Sequence, residues 1–241
     1  MSIIFDEKKH VEDMLAGSGF QTNNTKFELQ LLATYYRELG LEDAEIDDKL
    51  HSFCKKYARN YNRVKFYKLI DEKVKRSKKL KLKEAFPIFI TQAELDTIQS
   101  EENIKYQKLM FIYLVLAKYY MSNNHTDKYY VGCKDNDIFN LCDMYTRKQD
   151  KLDFMHYLTK KGYITPTLSM SSVVNYVNED SEVVITLIPN IDMVYYYEQY
   201  LGGIFINCKA CNCLVKKTNN RIKYCKSCAS KIKNKTLNIE K

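Results

Sequence analysis

The sequence predicts a mainly helical protein with a small β component, ending in a segment that needs a cross-link to fold. Only 7 Gly and 3 Pro occur in 241 residues, too few for the tight turns of a sandwich, a propeller or a glycine-rich nucleotide fold. The apolar fraction is 45%, including 20 Tyr and 11 Phe, which is ample for a packed core. Four cysteines stand in two pairs near the C-terminus, where the chain is otherwise polar. Three regions follow: a helical domain with a basic helix at 1–83, a central domain with flanking helices at 84–201, and a cysteine-bearing segment with a basic tail at 202–241.

The elements can be placed in order. Thr25-Lys-Phe-Glu28 fits a capping box, and Gly40 ends the helix it opens. Ile46, Leu50, Phe53 and Tyr57 recur at helical spacing, and a third, basic helix carries Tyr67, Ile70 and Val74 on one face. Pro87 precedes a short extended piece at Ile88-Phe89-Ile90, and Thr91-Gln-Ala-Glu94 is a second capping box. A helix beginning near 100–103 and running to about Met121 contains the longest apolar run, Leu109 to Ala117. Nine residues flanked by lysines make a buried helix and not a membrane span. Tyr129-Tyr130-Val131 predicts a strand, and Asp135 opens a brief helix. Thr146-Arg-Lys-Gln149 is a third capping box, for a helix with Leu152, Met155 and Leu158 on one side and Gly162 as its stop. Tyr163-Ile164-Thr165 leads to two β-branched runs, Ser172–Val177 and Glu182–Ile188, joined at hairpin length by Asn178–Ser181.

Helix, strand, helix, helix and hairpin follow one another as in a winged helix-turn-helix. The string Lys148-Gln-Asp-Lys-Leu-Asp-Phe-Met-His-Tyr-Leu-Thr-Lys-Lys-Gly-Tyr-Ile164 resembles the third helix and first wing strand of bacterial winged-helix proteins. The likeness covers about 104–188. With the terminal Tyr-Cys-Lys-Ser-Cys-Ala motif, the whole chain resembles winged-helix proteins of Firmicutes and their phages that end in a four-cysteine ribbon. The resemblance implies a cytoplasmic protein of a bacterial host, of phage or mobile-element type.

Cys208-Lys-Ala-Cys211 and Cys225-Lys-Ser-Cys228 are separated by thirteen residues. Two such turns can offer four thiolates to one ion, the ligand set of a tetrahedral zinc ribbon. A disulfide framework is disfavoured, because Met1–His10 reaches Asp6, Glu7, Lys8 and Lys9 before any apolar core and so lacks a secretory signal. Four sulfurs leave no open position, so one structural zinc per chain is expected. Cys213 competes with Cys211 as a ligand; the symmetry of the two pairs favours Cys211. Asn212 suits the left-handed backbone that follows such a turn.

Charge is unevenly placed. Residues 207–241 carry ten Lys or Arg against one Glu, whereas 1–206 hold 28 basic and 29 acidic residues. A second block, Lys55 to Lys83, has thirteen basic residues against Asp71 and Glu72. Concentrated positive charge fits a polyanion, although a lysine-rich helix face can also be no more than solvated surface. In a winged helix the third helix enters the major groove, which offers Arg147, Lys148 and Lys151 to DNA. Around the metal, Lys216, Lys217, Arg221, Lys223 and Lys226 are expected to meet phosphate, with Tyr224 available to stack on a base. The acidic residues Glu179, Asp180 and Glu182 at the expected hairpin tip oppose a wing contact and leave a protein partner open. Tyr195–Tyr200 predicts a helix that packs on the central domain or forms a dimer contact.

No phosphate-binding loop, dinucleotide fingerprint or HExxH motif is present. His10, His51, His125 and His156 are scattered, and Asp135-Asn-Asp137 is explained by helix capping. A non-enzymatic DNA-binding protein acting in replication initiation or transcriptional regulation is expected, with an adaptor that docks on a host or replisome protein as the rival.

Overall fold

The computed structural model describes residues 3–124, 126–168, 171–219, 221–225, 228–229 and 232. His125, Lys226 and the tail lysines 231, 233 and 235 lie outside them. Two compact units result, Ile4–Ala85 and Phe86–Lys241 with Met1–Ile3. The four-cysteine segment belongs to the second. The chain is mainly helical with small sheets, as its composition predicts.

In the first unit, α1 (Glu7–Asp13), α2 (Thr25–Glu38), α3 (Asp43–Tyr57) and α4 (Arg63–Ser77) enclose Val11, Leu29, Leu32, Ile46, Leu50 and Ile70. The helical spacing of Ile46, Leu50 and Phe53 is thus a buried face. Gly40, with φ +83°, ends α2 as expected. The capping box expected at Thr25–Glu28 does not form. Asn24 is the cap, its side chain accepting from Phe27 N–H at 3.2 Å. Glu28 is buried and accepts from the N–H groups of Gln21 and Thr22, both at 3.0 Å, and contacts His10 Nε2 at 2.9 Å. The segment before the helix folds over its first turn and claims the carboxylate that sequence assigns to the cap.

The second unit is built on α6 (Ile104–Asn124). Leu109 to Ala117 are all buried, which explains why this helix has no polar face: it has neighbours on every side. No helix among the described residues is long and apolar enough to cross a membrane. Around α6 lie β1 (Ile88–Thr91), α5 (Gln92–Gln99), β2 (Tyr130–Val131), α7 (Asp135–Leu141) and α8 (Lys148–Lys160). β3 (Ile164–Pro166), β4 (Ser172–Val174), β5 (Val183–Leu187) and α9 (Val194–Tyr200) complete the shell. The capping box at Thr91 forms, with Glu94 accepting from Thr91 N–H at 2.9 Å. That of α8 is shifted by one residue: Arg147 is the N-cap and Asp150 accepts its N–H at 3.3 Å.

The strand pairing differs from the expected hairpin. β4 pairs antiparallel with β3 (Ile164 opposite Val174) and with β2 (Tyr130 opposite Val173), giving the order β2-β4-β3. β5 instead pairs with β1, Ile88 opposite Leu187 and Ile90 opposite Ile185. The segment 178–181 therefore does not turn a hairpin. It is pinned to the start of α5, where Asn178 N–H donates to Glu94 Oε1 at 3.0 Å and Thr91 Oγ1 donates to Asn178 O at 2.7 Å. Glu94 in turn is buried against Lys118 Nζ at 2.8 Å. Each β-branched run contains a strand, the first ending at Val174, and the segment between them is held by the buried Glu94.

Candidate metal centre and basic surfaces

The cysteine segment starts as a hairpin of β6 (Phe205–Asn207) and β7 (Leu214–Lys216), with Ile206 opposite Val215. Between the strands the chain makes a tight knuckle. Cys208 N–H donates to Cys213 O and Asn212 N–H to Cys208 O, both at 2.8 Å, and Asn212 adopts φ +60° as its residue type allows. Lys209 N–H donates to Lys223 O at 3.0 Å, which brings the second pair alongside the first. The Sγ atoms of Cys208, Cys211, Cys225 and Cys228 all lie within 4.8 Å of one another.

This donor set fits a tetrahedral thiophilic ion. Metal–sulfur bonds of about 2.3 Å put tetrahedral sulfurs roughly 3.8 Å apart, and Cys211 Sγ lies 3.7 Å from Cys225 Sγ. Backbone N–H groups point at sulfur: Cys225 N–H at Cys208 Sγ (3.3 Å) and Cys228 N–H at Cys225 Sγ (3.4 Å). Such donors favour the thiolate. Burial resists ionisation of Cys208, but the N–H groups of Cys225, Ala210 and Cys211 outweigh it and bring the thiol down to about 6. Among the described residues of this segment, Cys208, Leu214 and Cys225 are the buried ones, too little to hold some thirty residues without a cross-link.

The hairpin is seated on α9. Tyr195 and Phe205 rings meet at 5.4 Å, and Glu198 accepts from Lys216 Nζ at 2.8 Å and from Lys108 of α6. α9 itself stacks Tyr197 on Phe111 of α6 at 5.1 Å, as its tyrosine-rich sequence predicts. Glu198 and Lys108, ninety residues apart, carry no motif that would pair them. Lys216, assigned to phosphate on its charge, is engaged by Glu198; Lys217, Arg221 and Lys223 are exposed.

At the start of α8, Arg147 and Lys148 are exposed. Lys151 is half-buried, its Nζ donating to Asn136 Oδ1 at 2.8 Å and lying 5.6 Å from the Phe139 ring centre. Part of its role is therefore to fasten α8 to α7. Of the expected apolar side of α8, Leu158 is buried and Met155 Sδ accepts from Tyr113 Oη at 3.1 Å, but Leu152 is not part of it. Leu152 is 51% exposed, and Phe154 packs instead, against Tyr106 (4.9 Å) and Phe139 (5.9 Å). The turn between β3 and β4 carries Leu168, 108% exposed. Glu179, Asp180 and Glu182 are not on it: they lie between β4 and β5, with Glu179 3.8 Å from Lys118 Nζ.

In the Lys55–Lys83 block part of the charge is locally matched. Lys73 is buried against Glu72 (2.9 Å), Lys75 pairs with Asp71 (2.8 Å) and Lys78 with Asp43 (2.7 Å). No family model, curated protein or solved structure matches this chain.

Proposed function

We propose that the chain is a non-enzymatic DNA-binding protein in which a winged helix-turn-helix works beside a structural zinc ribbon. The carrying observation is the order α6, β2, α7, α8, β3, β4 with β4 central in the small sheet. That order supports a module whose third helix, α8, enters the major groove while the β3–β4 turn lies along the backbone. Arg147 would meet a guanine edge and Lys148 phosphate. Zinc would be held by Cys208, Cys211, Cys225 and Cys228, where it supplies a saturated four-sulfur cross-link and no open coordination position. Lys217, Arg221 and Lys223 on the ribbon, and Lys226 beyond the described residues, would add sequence-independent contacts to phosphate. Replication initiation or transcriptional regulation in a phage or mobile element, in the reducing cytoplasm of a bacterial host, is the setting this reading favours.

Duplex DNA binding measured across salt concentrations tests it. The expected result is affinity that falls steeply with salt, with a log–log slope shallower by roughly 3 when Lys217, Arg221 and Lys223 are replaced by Glu. Salt-insensitive or absent binding at low ionic strength rejects it. A second reading, a protein-docking adaptor, is favoured by the exposed Tyr145 (106%), Leu152 and Leu168. Co-purification of a stoichiometric protein that is lost on Leu152→Ser and Leu168→Ser, without DNA binding, selects that reading.

A further inference from the structure

Cys213 is a fifth sulfur at a site that needs four. Its Sγ lies 3.3 Å from Cys211 Sγ. Cys211 Sγ is itself 3.7 Å from Cys225 Sγ, so Cys213 stands against the Cys211 corner of the cluster. The backbone holds it there without help from Cys211, because Cys208 N–H donates to Cys213 O at 2.8 Å and β7 begins at the next residue. Burial separates the two candidates: Cys208 and Cys225 are buried, whereas Cys211 is exposed and Cys213 half-buried. The ligand most open to alkylation or oxidation is the one with a second thiol in contact with it.

We propose that Cys213 is a reserve ligand that takes the place of Cys211 on the metal when the Cys211 thiolate is lost, so that the centre keeps four sulfurs. The step is a ligand exchange: the bond from the metal to Cys211 breaks, one to Cys213 forms, and the proton of Cys213 passes to solvent. It rests on the reading of the cysteine cluster as a metal site. The contact is with Cys211, so Cys213 is not expected to stand in for Cys228.

Cobalt(II) titration of the full chain tests the idea, because the ion occupies tetrahedral sulfur sites and its sulfur-to-metal absorption counts thiolates. Cys213→Ser is expected to leave the four-sulfur spectrum unchanged. Cys211→Ser is expected to keep it also, while Cys228→Ser and the double variant C211S/C213S drop to three sulfurs, the double variant with affinity lower by at least about 100-fold. If C211S shows the same three-sulfur spectrum as C228S, or binds no cobalt while C228S does, the reserve-ligand proposal is overturned and the metal site stands. If the wild-type chain takes up no cobalt, both fall together.

Discussion

Lys118 has a side chain only 6% exposed, with its amine on the carboxylate of the fully buried Glu94 and on Phe89 O at 2.7 Å. Removing one partner of such a pair leaves a charge with nowhere to go, which costs about 3–5 kcal/mol. Lys118→Met should lower stability in urea by that amount, and adding Glu94→Gln should recover part of it; equal losses in the single and double variants would contradict the account. No local pattern in the sequence marks this pair, because its members are 24 residues apart on different helices. Other residues were legible for simple reasons. Gly40 and Gly162 adopt positive φ because only a residue without Cβ does so freely where a helix stops. Glu28 was misassigned because a capping pattern records only neighbours, whereas its carboxylate is bound by Gln21, Thr22 and His10 from outside the helix.

Among the elements, α9 is the joint between the cysteine hairpin and α6. Burial resists ionisation of Glu198, but hydrogen bonds and charge from Lys108 and Lys216 outweigh it and hold the carboxyl below the usual glutamate range. The ionised form is therefore favoured by folding. Its contribution is complete above the ordinary glutamate range and is lost as pH falls through the depressed value. Glu198→Gln should lower the melting temperature at pH 7, at a cost of about 2 kcal/mol, and the two melting curves should converge in acid. A gap that persists at low pH would mean the loss is one of packing alone. The pairing of β5 with β1 belongs to this scale too. Val183–Leu187 is strand-forming by composition, but its partner is chosen by the anchoring of 178–181 to α5, which a short-range hairpin pattern does not register.

For the whole molecule, the first unit and the cysteine hairpin of the second differ in what holds them. Residues 4–85 have their own closed core of Val11, Leu29, Leu32, Ile46, Leu50 and Ile70, so a fragment of that span should fold cooperatively without metal. The cysteine hairpin has almost no core. Chelation should abolish amide-exchange protection around 205–216 while leaving protection in α6 intact; loss of both together would show that the metal holds more than the hairpin. The same asymmetry bounds what the sequence by itself determined. Helix content, the buried run of α6, the stops at glycine and the four-cysteine cluster were legible because each depends on local spacing: 3.6 residues per turn, a missing Cβ, two residues between thiols. The tertiary structure alone decided which strands pair, which of the lysines are committed to carboxylates and that α8 packs Phe154 against Tyr106 while leaving Leu152 exposed. Those outcomes depend on groups far apart in the chain, brought together only when burial makes an unpaired charge or an unbonded backbone group too costly to leave.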